Sequence, residues 1–169
     1  MKYIAAIITA SDKGSQGQRE DISASVAKEI LEKNGYKVDF YKIVPDDIDI
    51  LEKSLIEYCQ NGADVIFTTG GTGFSKRDVT PEATLRVIEK RADGITLAMI
   101  SNSLKITPKA MLSRAVCGIR NNTLIINLPG SPKAVRENLE FIIPHIGHGI
   151  DILKGTDSEC GQRWWILFF

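Results

Sequence analysis

The sequence predicts an α/β domain whose sheet is largely parallel and covered on both faces. Two observations carry this. Short apolar runs alternate with stretches of helical period, and the links between them are short, as parallel strands joined by crossover helices require. In addition, a glycine-rich turn follows one of the buried runs and leads straight into a helical pattern.

The elements can be justified in order. Tyr3 to Thr9 is a continuous apolar run and reads as a buried strand. Ile22, Val26, Ile30 and Leu31 recur on one helical face, with Asp21 as N-cap and Asn34-Gly35 as the stop signal. Val38 to Val44 alternates as a strand. Ile48, Leu51, Leu55, Ile56 and Cys59 form a second helical stripe, closed by Asn61-Gly62. Asp64 to Thr69 is the third strand. Helix is expected from Pro81 to about Arg91, with Thr80 as its N-cap, and again from Ile95 to Leu104. Thr123 to Leu128 is a buried strand. Ser131-Pro132 caps a last helical region, Ala134 to Ile143, continuing past Pro144 to about Leu153.

Composition bounds the function. A chain of 169 residues, 43 % hydrophobic and 25 % charged, is one ordinary globular domain able to bury a core. Lys plus Arg and Asp plus Glu both number 21, so no global basic field recruits nucleic acid or anionic membrane. Cations near Lys76 and Arg114 must act locally. No apolar stretch approaches the roughly 18 to 20 residues of a membrane span. The run Ile4 to Ala10 is too short for a signal peptide. Cys59, Cys117 and Cys160 lack C-x-x-C spacing, and reduced thiols in the cytoplasm are expected. His145 and His148 stand three apart without a further ligand nearby, so a metal site there is not expected.

Thr68 to Thr84, TTGGTGFSKRDVTPEAT, is the most informative segment. Gly70, Gly71 and Gly73 allow a tight backbone that points N–H groups at an anion. Ser75, Lys76 and Arg77 add a hydroxyl and two cations, and Asp78 adds a carboxylate suited to Mg²⁺. Asp46, after Pro45 at the end of the second strand, is either a helix N-cap or a second functional acid; Asp47 reads as a solvated first-turn acid. Ser11, Asp12 and Ser15 suit a capped turn. Pro129-Gly130-Ser131-Pro132 forms a rigid turn into a helix N-terminus, a ready anion or nucleotide contact.

The string from Thr68 to Thr84 resembles the signature of MogA/MoaB-type molybdenum-cofactor proteins, a family that includes molybdopterin adenylyltransferases. It is similar as well to the G domain of gephyrin and of its plant counterpart. Ile8-Thr9-Ala10-Ser11-Asp12 with Ser15, Gly17 and Asp21 resembles the family's first strand and loop. Met111-Leu112-Ser113-Arg114 and Leu124 to Pro132 extend the likeness, which runs from about Lys2 to about Gly155.

The resemblance implies a three-layer α/β/α domain over residues 1–155, followed by a tail, 156–169. It implies Mg-ATP-dependent transfer of AMP to the phosphate of molybdopterin, with release of pyrophosphate. Asp46 and Asp78 take the catalytic and Mg²⁺-binding positions. Gly70, Gly71, Thr72, Gly73, Ser75, Pro129, Gly130 and Ser131 contact phosphate or nucleotide. Asp12, Ser113 and Arg114 contact substrate, Arg114 by gripping a phosphate or the pterin edge. The family's trimers or hexamers imply a homo-oligomer, with handover of product to a molybdenum insertion protein. A binding-only paralogue and a CinA-like domain acting on another nucleotide are the alternatives. The apolar run Trp164 to Phe169 lies outside the resemblance and is expected to dock on the domain or on a neighbouring subunit.

Overall fold

Alternation along three central strands decides what lies on each side of the sheet. In the computed structural model, which describes residues 2–156, β1 (Tyr3–Ala10), β3 (Val65–Thr69) and β6 (Thr123–Leu128) are buried throughout except at half-buried Ile4. Tyr3, Ala5, Ile7, Val65, Phe67, Leu124, Ile126 and Leu128 face one core. Ala6, Ile8, Ala10, Ile66 and Ile125 face the other. Side chains of period 2 thus serve two cores, and helices must cover both faces.

The first face is covered by α2 (Ile22–Lys33), α5 (Asp93–Leu104) and α6 (Pro132–Leu153), the second by α3 (Ile48–Gln60) and α4 (Thr80–Val87). This is the three-layer arrangement. The sheet runs β2-β1-β3-β6-β5-β4, with β2 (Tyr36–Val44), β1, β3 and β6 parallel. β5 (Cys117–Arg120) is antiparallel to both β6 and the two-residue β4 (Lys90–Arg91). A short α1 (Asp12–Ser15) follows β1, and a 3-10 turn spans Pro108–Leu112.

Four local expectations change. The helix expected to reach Arg91 stops at Val87, because Lys90 and Arg91 pair with Ile119 and Gly118. Gly118 makes this possible, since a Cβ there would lie 2.6 Å from the Ile88 side chain and 2.7 Å from the Lys90 carbonyl oxygen. Next, α2 buries Ser23, Ala24, Ala27, Ile30 and Leu31, while Ile22 is 53 % exposed. Small residues let this helix sit close, and Ser23 donates to the Gly130 carbonyl at 2.8 Å. In β2 a register shift leaves Asp39 unpaired, so Val38 packs on the first core and Phe40 on the second. Finally, Thr80 is the first residue of α4, not its cap, and Val79 precedes it without a side-chain cap bond.

The stop signals behave as read. Gly35 and Gly62 follow the helices with φ of 83° and 86°. Asp21 caps α2 by accepting from the Ala24 N–H. Asn127, wholly buried, ties the layers together. Its amide donates to Thr68 Oγ1 and Thr84 Oγ1, each at 2.9 Å, and its carbonyl accepts from the Val116 N–H at 3.0 Å. The tail residues Trp164 to Phe169, like Cys160, lie outside the described residues.

Asn127→Ala removes both donors and the acceptor, leaving the Val116 N–H unpaired in the core. It should lower unfolding free energy by about 2 to 3 kcal/mol, read from urea denaturation at unchanged m-value.

Candidate active site at the carboxyl ends of the parallel strands

Four parallel strands end at one edge, delivering Ser11-Asp12, Pro45-Asp46-Asp47, Gly70–Gly73 and Pro129–Ser131 together. The chain leaves β1 through α2 on one face and enters β3 from α3 on the other. Connections therefore diverge between β1 and β3, and a crevice opens there.

Gly70 and Gly71 cross this crevice with φ of 88° and 62°. A Cβ on Gly70 would lie 2.4 Å from the Ala10 carbonyl oxygen. One on Gly71 would meet Thr80 Oγ1 at 2.5 Å and Asp46 Oδ1 at 3.2 Å. Positive φ and absence of a side chain are both required. Thr80 staples the loop in place: its hydroxyl donates to the Gly70 carbonyl at 2.9 Å and its N–H to the Gly71 carbonyl at 3.1 Å. Gly73 has no left-handed φ, but a Cβ on it would sit 2.8 Å from Asp78 Oδ2.

Asp46 and Asp78 thus border the same loop, at Gly71 and Gly73. Asp46 is not the cap of α3; Asp47 is, accepting from the Ile50 N–H at 3.0 Å. Asp46 instead exchanges bonds with Asp12. The Asp12 N–H donates to Asp46 Oδ2 and the Asp46 N–H to Asp12 Oδ1, both at 3.0 Å. Arg77 grips Asp12 in a fork, Nε to Oδ2 at 2.9 Å and Nη2 to Oδ1 at 2.8 Å. That guanidinium, with the Asp46 N–H, holds the Asp12 carboxyl below its usual range. Burial pushes Asp46 up, and the charges of Asp12 and Asp78 add to the rise. Asp78 Oδ2 accepts from the Ser75 N–H at 3.1 Å.

Arg114, expected to contact substrate, here bonds the protein itself. Nε donates to the Gly73 carbonyl at 2.7 Å and Nη2 to the Asp78 carbonyl at 2.6 Å, while Nη1 pairs with Glu82. Two of the guanidinium nitrogens thus brace the loop, and the third ties it to α4. The Ser131 hydroxyl caps α6, accepting from the Ala134 N–H, and Ser75 Oγ accepts from the Arg77 N–H.

Two cavities flank the glycines. One, of about 150 Å³, is bounded by Thr9, Thr69, Gly70, Gly130 and the start of α2. The other, of about 300 Å³ and mostly apolar, lies among Thr72, Gly73, Met99, Ile100, Ser113 and Pro129. Neither acid lines these two cavities; both border the loop that separates them, and Asp78 lines a third, open cavity with Ser75, Lys76 and Arg114. No group of three or more His, Cys, Asp or Glu able to hold a metal occurs among the described residues. Two carboxylates beside a glycine loop are still of the chemistry that suits Mg²⁺, an ion usually bound through one or two carboxylates with phosphates and water. Cys117 is no nucleophile: burial pushes its thiol up to about 11, and burial raises Cys59 as well.

Residues 6–148 match the family described as "Probable molybdopterin binding domain". The chain belongs to this family, the MogA/MoaB family. The molybdopterin adenylyltransferase of Helicobacter pylori is 43 % identical over 162 residues, covering 93 % of this chain and 91 % of that one. Gephyrin of Dictyostelium discoideum is 42 % identical over 169 residues, 94 % of this chain but 23 % of gephyrin. Among solved structures, the molybdopterin biosynthesis enzyme MoaB of Thermus thermophilus superposes with a TM-score of 0.86 at 40 % identity, covering 90 % of this chain and 97 % of that one.

Three parts of this crevice are not legible in the sequence. Arg77 reads as one of two loop cations, and its partner Asp12 lies 65 residues away. The turn Pro108–Leu112, which walls the larger cavity, has no strong period. Thr9 and Thr69, which line the smaller one, stand in the sequence only as members of the strings that resemble the family, with no role of their own. Their polarity at the end of apolar runs was the available signal.

Because Asp46 has a folded pKa above its unfolded value of 3.8, native protein binds more protons than unfolded protein between those two values. Its effect on stability is therefore unfavourable once pH has risen through the folded pKa, and vanishes below 3.8. Asp46→Asn should melt higher than the parent at neutral pH, with the difference shrinking as acid is added. Thermal scans of both proteins across the acid range check this; a variant less stable at neutral pH would contradict it. Asp47→Ala, which removes the α3 cap, should cost about 1 kcal/mol, whereas Asp47→Asn keeps the cap and should be nearly silent.

Proposed function

We propose that this protein adenylylates molybdopterin with Mg-ATP. A nucleophilic oxygen of the molybdopterin phosphate attacks the α-phosphorus of ATP, forming the new P–O bond while the bond to pyrophosphate breaks. The observation that carries the reading is that Asp46 and Asp78 border one glycine loop, which itself runs between two cavities, in a chain whose relatives include molybdopterin adenylyltransferases.

The residues divide the work as follows. The larger, apolar cavity takes the flat pterin, with Ser113 and Thr72 at its polar edge. The smaller takes the nucleoside, and the phosphates lie along Gly70–Gly73 with Pro129, Gly130 and Ser131 opposite. Asp46 and Asp78 hold Mg²⁺, which supplies charge neutralisation to the phosphates when bound. Arg77 and Asp12 fix the orientation of Asp46 through the paired N–H bonds, and Arg114 keeps the Gly73 and Asp78 carbonyls in place. Most of the rate acceleration then comes from orientation and fixed charge, and no side-chain nucleophile is needed.

We further propose a homotrimer, or a multiple of one, acting in the cytoplasm and passing its product to a molybdenum insertion protein. Helix α5 carries Ile95, Leu97, Ala98, Met99, Ile100 and Leu104 on several sides but buries only Met99; Leu97, and Met111 of the following turn, are 67 % and 66 % exposed. Helices of that pattern are normally covered. No helix of the described residues is long and apolar enough to cross a membrane.

Incubation with molybdopterin and Mg-ATP should yield the AMP adduct by mass, with pyrophosphate released; EDTA should abolish it and excess Mg²⁺ restore it. Pterin binding without pyrophosphate release would overturn the reading. In single-turnover assays Asp78→Asn should slow adduct formation by about 10²- to 10³-fold, with pterin affinity far less affected. Full activity in that variant would remove the mechanism. Light scattering at micromolar concentration should report three subunits or a multiple of three, and a stable monomer would contradict the assembly.

A further inference from the structure

Thr9 is the penultimate residue of β1. Its side chain has the parity of Tyr3, Ala5 and Ile7, so it faces the layer of α2 and α6. It is 7 % exposed, and its Oγ1 is enclosed without any hydrogen-bond partner. Thr69, its neighbour in register on β3, offers the contrast: its hydroxyl donates to the Pro129 carbonyl at 3.0 Å. Both threonines line the cavity of about 150 Å³.

An enclosed hydroxyl without a partner is costly, and a valine would fill the same volume without that cost. The described residues contain three other buried side chains with such an atom, Tyr36, Glu82 and Thr96, and none of them lines this cavity. Beside the apolar Ala10, Ile22, Ile43 and Pro132, the lining includes Ser11 and Ser23, with the cation Arg19 and the acids Glu20 and Asp21 toward the start of α2. One cation against two acids leaves no excess positive charge for a phosphate at this end, and apolar walls with polar edges suit an uncharged, flat group. A threonine hydroxyl can donate and accept, so it can meet either a ring nitrogen or a sugar hydroxyl.

We propose that Thr9 is a ligand contact: rotation about its Cα–Cβ bond turns the hydroxyl, enclosed in the empty protein, into the smaller cavity, where it hydrogen-bonds the nucleoside of the bound nucleotide. The assignment rests on the nucleotide-binding part of the function proposed above. It makes Thr9 a residue whose polarity destabilises the empty protein and serves the occupied one.

The test uses the full chain with Thr9→Val and Thr9→Ser. Thermal melts are taken without ligand, and titrations use AMP, ATP and tripolyphosphate in the presence of Mg²⁺. Thr9→Val should melt higher than the parent, yet bind AMP and ATP about tenfold more weakly, the loss of roughly one hydrogen bond. Thr9→Ser should stay within about twofold of the parent. Tripolyphosphate, which has no nucleoside, should bind all three proteins alike. Parent-like AMP affinity in Thr9→Val would overturn the assignment, and so would an equal loss of tripolyphosphate. A parent protein that binds neither AMP nor ATP would overturn it outright. A parent that binds AMP but forms no adduct would overturn the transfer reaction alone, and Thr9→Val would still decide the contact by AMP titration.

Discussion

The backbone of Gly70 passes so close to the end of β1 that a single added carbon would lie 2.4 Å from the Ala10 carbonyl oxygen. Much of the site depends on that approach. It brings β3's exit against β1's, lets Gly71 reach Asp46, and leaves Gly130 packed against Gly70 from the β6 side, where a Cβ would meet the Gly70 α-carbon at 3.3 Å. Glycine here is required by space as well as by φ. The loop is pulled onto its own scaffold by Thr80 and Arg114, so its shape is set before any ligand arrives. Preorganisation of this kind lets binding energy go into orientation instead of loop ordering.

Charge arrangement follows from the same closeness. Asp12, Asp46 and Asp78 converge from three strand ends, and burial already disfavours ionised Asp46. Arg77 neutralises Asp12 through its fork, leaving the other two acids facing the loop. Ionised Asp46 costs stability in the empty protein, and the Mg²⁺ proposed above would relieve that cost. Thr9 shows the same tension in a neutral group. Functional sites commonly retain such unfavourable groups, and the dense apolar layers on both faces of the sheet offset them here.

Local chemistry made much of the fold legible. Apolar runs located β1, β3 and β6, and Asn-Gly pairs ended α2 and α3 where expected, because these signals act within a few residues. Errors arose where distant contacts outweighed local preference. Residues Ile88 to Arg91 continue a helical pattern, yet β5 captures them through the space left by Gly118. The even alternation of Val38 to Val44 concealed a bulge, since nothing in β2 itself records that β1 pairs with Val38 and then with Phe40. Asp46 and Asp47 were told apart as acids, but which of them caps α3 depended on Asp12 reaching across from another strand.

By itself, the sequence determined the α/β class, the glycine loop with its neighbouring acids, and membership of a family through motifs in fixed order. All of these reside in short contiguous strings, where residue type and spacing dictate local conformation. Only the tertiary structure decided which groups remain available to a ligand. Arg114 has the composition of a phosphate grip but directs its guanidinium at the backbone of Gly73 and Asp78, and Arg77 directs its own at Asp12. Thr9 reads as one more strand residue until its hydroxyl is seen enclosed beside a cavity with no partner. Hydrogen-bond capacity belongs to a residue, but whether the protein has already used it depends on neighbours that folding brings from far along the chain.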